Sequence, residues 1–297
     1  MRPVLFHIFD LPIPSYGVFA ALGSLTAFVY AYYEARRAGL DAEKILEVYF
    51  WIFLTTAVMS RVFEVVVEWG FYSAHPVRMF YIWDGGMVLY GGLTGAVIAG
   101  VAAVRIKKLP LGESADALIT GAAIGIMLGR VGCLMSGCCY GRPTDAAWCI
   151  RFTNRHSAAN SVVGDVCVHP TQIYSILLLA AVFVFLVWLS RRKKFSGMLF
   201  WMFFLLYPAG RFVIEIYRGD PRGMVREPVL SRIFAPILAN QTYSADGVVG
   251  FYHAPYLSTS QAISLAVFTI SVAGYFLASR RAKAALLQPE SNHDINE

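Results

Sequence analysis

The sequence predicts an all-α, polytopic membrane protein with about seven transmembrane helices, its N-terminus outside and its C-terminus cytoplasmic. Three observations carry that prediction. The 297-residue chain is 57% hydrophobic and 15% charged, far from the balance of a soluble domain. Its apolar residues run in rows of the roughly 20 that a bilayer span requires, instead of being spread with the periodicity of a soluble core. Its Lys and Arg residues mark alternate connections between those rows, as cytoplasmic loops do.

Judged by apolar length, the spans are Ile13 to Tyr33, Ile45 to Val66, Met87 to Val104, Ala115 to Met135, Gln172 to Leu189, Met198 to Ile216 and Ala262 to Ala278. Met1 to Pro14 lacks the charged region, apolar stretch and small-residue cleavage site of a secretory signal, so the first span is expected to be retained. Basic residues follow the odd-numbered spans: Arg36, Arg37 and Lys44, then Arg105, Lys107 and Lys108, then Arg191 to Lys194, then Arg280, Arg281 and Lys283. That alternation sets the orientation. It makes residues 1–285 a single integral membrane domain with extracytoplasmic loops at 136–171 and 217–261, both rich in Gly, Pro and polar residues, and leaves 286–297 as a polar cytoplasmic tail. The formal charge of +6 sits beside hydrophobic segments and not in one basic domain, which points to anionic lipid as the partner and not to nucleic acid. There is no internal repeat and no inverted pair of broken helices of the kind found in many transporters.

Ionisable residues inside spans cost a few kcal/mol each and need a partner, water or a function. Here they are Arg61 and Glu64, Arg130, and Arg211 and Glu215, and with this orientation all fall in the outer halves of their spans. Tyr16 opens the first span on the same side, and Asp84 and Tyr90 lie where the third begins. Arg61 with Glu64 and Arg211 with Glu215 have the spacing of helical ion pairs. Arg130 has no carboxylate within a turn and lies between Gly129 and Gly132, where small residues admit a close approach. Such an arginine suits a phosphate, which its planar fork binds through two parallel hydrogen bonds. Tyr207, Arg211, Glu215 and Arg218 share a helical face, with Pro208 loosening the helix just before Arg211. Gly85-Gly86 and Gly91-Gly92 flank a short apolar stretch and permit either tight turns or helix packing.

Cys133, Cys138, Cys139, Cys149 and Cys167 all map to the outer end of the fourth span or the loop after it. A Cys149–Cys167 bridge pinning that loop is the leading structural expectation in an oxidising compartment. Cys133, Cys138 and Cys139 with His169 are a conceivable soft-metal set, but their spacing matches no common zinc pattern, so no metal and no cofactor is expected. A reactive thiol beside the arginines is the other reading. His169 precedes Pro170 at the start of the fifth span, which fits a helix-start role as well as it fits catalysis.

Together these motifs resemble the prolipoprotein diacylglyceryl transferase family. The resemblance is carried by Tyr16-Gly17, Arg61, Trp83-Asp84-Gly85-Gly86 with Gly91-Gly92, Gly129-Arg130-Val131-Gly132 with Gly137 and Gly141-Arg142, His169-Pro170 with Gln172 and Tyr174, and Tyr207 to Arg218. It implies a multi-pass enzyme of the bacterial cytoplasmic membrane that moves the diacylglyceryl group of phosphatidylglycerol to the lipobox cysteine of a prolipoprotein signal peptide, releasing glycerol phosphate. Arg130, Arg211, Tyr90 and Glu215 are then the catalytic candidates. Tyr16, Arg61, Asp84, Gly85, Gly86, Gly91, Gly92, Gly132, Cys133, Cys138, His169, Gln172, Tyr207 and Arg218 are the substrate-binding candidates. Three positions depart from the family: Tyr90 where His is common, Cys133 where Asn is common, and Cys138 where an acidic residue is common. Those departures touch the base and the acceptor and keep the phosphate side intact. The rival readings are a relative that uses the same headgroup site with another acceptor, and a lipid-binding or transport protein without chemistry.

Overall fold

In hydrocarbon a backbone N–H or C=O finds no water, so an apolar row satisfies its polar groups internally by becoming a helix. The computed structural model of the protein describes residues 2–9, 11–81, 88–220, 224–225 and 257–287. A hairpin of β1 (Val4–Ile8) and β2 (Leu11–Pro14) leads into α1 (Ser15–Arg37), followed by α2 (Ala42–Val67), the short α3 (Trp69–Ala74) and a 3-10 turn at Pro76–Phe80. Then come α4 (Leu89–Ile106), α5 (Leu111–Ser136), β3 (Ile150–Arg151), α6 (Ala158–Val163), β4 (Cys167–Val168), α7 (Thr171–Ser190) and α8 (Met198–Glu215). After β5 (Met224–Val225) and β6 (Leu257–Ser258) the described chain ends with α9 (Thr259–Leu287). Six helices (α1, α2, α5, α7, α8 and α9) are long and apolar enough to cross a membrane, and α4 supplies a shorter apolar helix, Gly91–Ile106. Large side chains such as Val58, Val62, Leu177, Val184, Ile270 and Phe276 lie exposed on these helices, as on a lipid-facing surface. The protein is an all-α, multi-pass membrane protein.

Several expectations need correction. Ile13 and Pro14 belong to β2, because the first helix starts where Ser15 donates its N–H to the Pro3 carbonyl at 2.8 Å and caps the hairpin. Residues 136–171, expected as an extramembrane loop, hold the short elements β3, α6 and β4 without contradicting that expectation, Ile150 and Arg151 pairing with Val168 and Cys167. Leu286 and Leu287 continue α9 and are not part of a polar tail; 288–297 lie outside the described residues, as does most of 217–261.

The chain divides into two compact units, Phe28–Leu118 and Met1–Ala27 with Ile119–Glu297, the divisions falling within α1 and α5. In the first, α2 packs along α4, and the contact depends on small residues. A Cβ at Gly91 would stand 2.4 Å from the Met59 carbonyl oxygen, and one at Gly95 would stand 2.8 Å from that of Thr55. Backbones this close are how helices associate where no hydrophobic drive separates them from lipid. Ala31, Ala35, Ala42, Ile45 and Ala117 form a second buried cluster. Asp41 caps α2 by accepting the Lys44 N–H.

In the second unit α8 packs on α7 and α9 around Leu179, Leu186, Leu199 and Phe203. The start of α1 crosses α5 at another pair of glycines, where a Cβ on Gly23 would meet the Gly125 carbonyl oxygen at 2.6 Å. Hydroxyls buried in the apolar helices bond back to the preceding turn, as Ser175 does to Thr171 and Ser271 to Val267. Cys149 and Cys167 form the expected disulfide, closing the hairpin loop.

Replacing Gly95 with Leu would force α2 from α4 and should destabilise the protein by roughly 1–3 kcal/mol, the usual cost of overpacking. Thermal unfolding in detergent would then fall by several degrees, whereas Gly70→Ala, at a position with no neighbouring atom within 4 Å, would leave it unchanged.

Candidate functional site

Arg130 and Cys133 lie one turn apart near the end of α5, which stops at Ser136. Gly137, at φ 71°, turns the chain out of the helix. The segment from Cys138 to Arg142 that follows is held on both sides. Gly141 donates its N–H to the His169 carbonyl at 3.1 Å, and His169 returns its own N–H to the Arg142 carbonyl at 3.0 Å. On the other flank Arg142 donates to the Tyr217 carbonyl at 2.9 Å and Gly219 donates to the Tyr140 carbonyl at 3.1 Å. A Cβ at Gly141 would fall 2.4 Å from the His169 oxygen, so the weave needs glycine there. Side chains at the start of α7 complete it: Thr171 Oγ1 donates to the Cys139 carbonyl at 2.7 Å and Gln172 Nε2 donates to that of Cys138 at 2.8 Å.

Three guanidinium groups converge on this segment. Arg211, 9% exposed, forms an ion pair with Glu215, 4% exposed, one turn later on α8. Glu215 also accepts a hydrogen bond from Ser258 Oγ at 3.2 Å, which ties the start of α9 to the pair. Arg218, 6% exposed, closes a two-point bridge on Asp220 at 2.7 and 2.6 Å. Burial works against the Arg218 cation, yet the Asp220 carboxylate more than offsets it and holds the guanidinium above its ordinary pKa. Arg211 lies within electrostatic reach of both Arg218 and Arg130. Arg130 differs from the other two. Among the described residues its partners are the Tyr207 hydroxyl and the cysteines, with Nη1 3.9 Å from Cys139 Sγ, and no carboxylate neutralises it.

The three free thiols stand beside that cation. Hydrogen bonds from the Cys133 and Cys138 sulfurs, with Arg218 and Arg130 nearby, pull the Cys139 thiol well below the usual range, while contacts with Cys133 and Cys139 and burial push Cys138 up. Burial and Asp220 raise Tyr140. His169 Nδ1 lies 3.2 Å from the Tyr174 hydroxyl, which also accepts from Trp148 Nε1 at 2.7 Å. The His169 ring meets Tyr217 edge-on at 5.0 Å. Burial, with a smaller contribution from Arg142, lowers the His169 pKa. Gly132 lets α1 approach: a Cβ there would be 3.2 Å from Tyr16 Cα, and the Tyr16 hydroxyl feels Cys133, Cys138 and Arg130.

Residues 3–277 match the family model described as prolipoprotein diacylglyceryl transferase. A Geobacter sulfurreducens protein named phosphatidylglycerol–prolipoprotein diacylglyceryl transferase is 33% identical over 73% of this chain and 82% of its own length. Proteins carrying that name in Clostridium perfringens, where it is numbered 2, and in Clostridium tetani are 32% and 31% identical. Each match covers 76% of this chain, with 86% and 88% of the relative. The chain belongs to the prolipoprotein diacylglyceryl transferase family.

Of the site residues expected from the sequence, the unit holding α5, α7 and α8 gathers Tyr16, Arg130, Gly132, Cys133, Cys138, His169, Gln172, Tyr207, Arg211, Glu215 and Arg218. Two expectations about them change. Arg218 lies past the end of α8, so it does not continue the Tyr207–Arg211–Glu215 face but turns to Asp220. His169 is not grouped with the three cysteines, because its ring packs toward Tyr174 and Tyr217. Arg61 belongs to the other unit, where its described hydrogen bonds run not to Glu64 but to the carbonyls of Arg78, Met79 and Tyr81, at 2.7, 3.0 and 3.1 Å. There it also lies over the Tyr72 ring at 5.2 Å. It thus secures the turn after α3. Gly91 and Gly92 serve the α2–α4 contact, a Cβ on Gly92 meeting Ser60 Oγ at 2.4 Å. Asp84, Gly85 and Gly86 lie outside the described residues, as does the Tyr90 side chain.

Sequence reading missed Asp220, Tyr217, Thr171 and Ser258. Asp220 alone left a signal, a carboxylate two residues from an arginine, whereas the others act through backbone or across helices.

A lowered His169 pKa means the unfolded chain takes up that proton first as the pH falls through about 6.5. The stabilising contribution is complete above that pH and is lost below it. His169→Gln should therefore lose less thermal stability than wild type between pH 7.5 and pH 5, measured by unfolding in detergent.

Proposed function

We propose that this protein transfers the diacylglyceryl group of phosphatidylglycerol to the lipobox cysteine of a prolipoprotein, in the bacterial cytoplasmic membrane. Family membership supports the reaction, and the relatives named above carry that activity in their names. The acceptor sulfur attacks a glyceryl carbon, the carbon–oxygen bond breaks, and glycerol phosphate leaves with the electron pair. Charge grows on the departing phosphate, so cations fixed beforehand against it lower the barrier.

The observation that carries this assignment is Arg130, a guanidinium at the end of an apolar helix whose described partners are a phenol and thiols and include no carboxylate. A phosphate would satisfy it. Arg130 and Arg211 are assigned to the phosphate, Glu215 and Tyr207 to positioning them, and Arg218 to the far wall with Gln172 and His169. Tyr16, Gly132, Cys133 and Cys138 border the same space. Tyr90 is kept as a base candidate, and Arg61 with Asp84, Gly85, Gly86, Gly91 and Gly92 as a second binding element of the family pattern. The basic residues after alternate spans support an outer-leaflet site, with residues 136–171 and 217–261 outside, the N-terminus outside and the C-terminal tail cytoplasmic.

A second reading keeps the headgroup site but changes the acceptor. It is favoured by one feature, the thiols of Cys133 and Cys138 where the family commonly has Asn and an acid. Mass spectrometry of a lipobox peptide incubated with the purified protein and phosphatidylglycerol separates the two. A diacylglyceryl adduct on the cysteine supports transfer to prolipoprotein; glycerol phosphate release without that adduct favours the other acceptor.

Removing one cationic donor should cost about 3 kcal/mol of transition-state stabilisation, roughly a hundredfold in turnover. Arg130→Gln and Arg211→Gln are each expected to show that loss in the peptide assay; wild-type turnover in either would remove that residue from the assignment. Tyr90→Phe should abolish transfer if Tyr90 is the base, and unchanged activity would exclude it.

A further inference from the structure

Cys133, Cys138 and Cys139 bring their sulfur atoms within 4.8 Å of one another. We propose that they form a binding site for a thiophilic divalent cation, zinc above all, with three sulfur ligands and a fourth position open to an exogenous soft ligand.

Geometry is the first support. A zinc–sulfur bond of about 2.3 Å places tetrahedral ligands about 3.8 Å apart, so three sulfurs within 4.8 Å need only small side-chain rotations to close on an ion. The frame is already fixed. Cys133 is buried on α5, while Thr171 and Gln172 hold the Cys139 and Cys138 carbonyls. Cys139 itself adopts φ 62°, a left-handed backbone that side-chain-bearing residues seldom take. Such strain persists only where the surroundings impose it and is concentrated at functional sites.

Charge and chemistry agree. Three thiolates around a divalent cation leave one negative charge, and Arg130, 3.9 Å from Cys139 Sγ, faces it. Thiolates select zinc over the hard cations magnesium and calcium. A disulfide between two of the three would be the competing fate; in the structure all three thiols are free, whereas the neighbouring Cys149 and Cys167 are joined. Among the described residues the group holds three ligands, the number of protein ligands in an open zinc site. The sequence pointed away from this site because its spacing fits no common pattern; the close approach comes from the Gly137 turn, which folds 138 and 139 back onto the end of α5.

The test is metal content of the purified, reduced full chain after removal of bound metal with a chelator and reloading with zinc or cobalt. One ion per chain is expected, with sulfur-to-cobalt charge-transfer absorption. Binding should weaken at least tenfold in Cys133→Ser, Cys138→Ser and Cys139→Ser, and persist in Cys149→Ser/Cys167→Ser. Protection of the three wild-type thiols from maleimide by zinc reads the same site without any variant. Wild type that binds less than a tenth of an ion, equal binding by the triple serine variant, or a disulfide joining two of the three cysteines in protein purified without reductant would overturn the proposal. None of these readings depends on transferase activity.

Discussion

Guanidinium groups placed among apolar helices are the constraint on which this structure depends. Removing an arginine from water costs several kcal/mol unless it is paired and hydrogen-bonded, and this chain does it twice within one unit, with a third, Arg130, half-buried beside them. Arg211 and Arg218 are both less than a tenth exposed. Each is matched by a carboxylate, Glu215 and Asp220, and those carboxylates dictate much of what surrounds them. Glu215 draws Ser258 and with it the start of α9. Asp220 requires the chain to leave α8 in a tight turn, which places Tyr217 and Gly219 where they can bond to the segment after α5.

Arg130 differs from these two. With its neighbours neutralised locally, it is the cation whose described partners include no carboxylate. A site that holds its charges rigidly before a ligand arrives does not have to reorganise as charge develops, which is the source of most electrostatic catalysis. The weave of residues 140–142 between His169 and the pair Tyr217 and Gly219 supplies that rigidity through backbone hydrogen bonds, in a place where loops would otherwise be mobile.

Much of this was legible in the sequence for reasons of length and spacing. A row of apolar residues long enough for a bilayer has few other uses, so every predicted span reappears as a helix within a few residues at most ends. Arg211 and Glu215 sit one turn apart on one helix, and their pairing follows from that alone. Arg130 stood out because no carboxylate was near it in sequence, and the fold adds none among the described residues. What the sequence left open depends on contacts between distant segments. Arg61 was compatible with a Glu64 pair, yet it binds the carbonyls of a turn that periodicity does not predict. Arg218 looked like one more residue on the α8 face because the helix end at Glu215 has no marked stop signal. The closeness of Cys133 to Cys138 and Cys139 depends on a single glycine turn, so spacing statistics could not foresee it.

We propose that Arg130 and Arg211 hold one phosphate between them. An experimental structure of the protein in lipid nanodiscs containing phosphatidylglycerol tests it most directly. Headgroup density in contact with both guanidinium groups, beside Tyr207 and the cysteine segment, is the expected result. A well-ordered phosphatidylglycerol bound elsewhere, with these two arginines facing only protein, would contradict it.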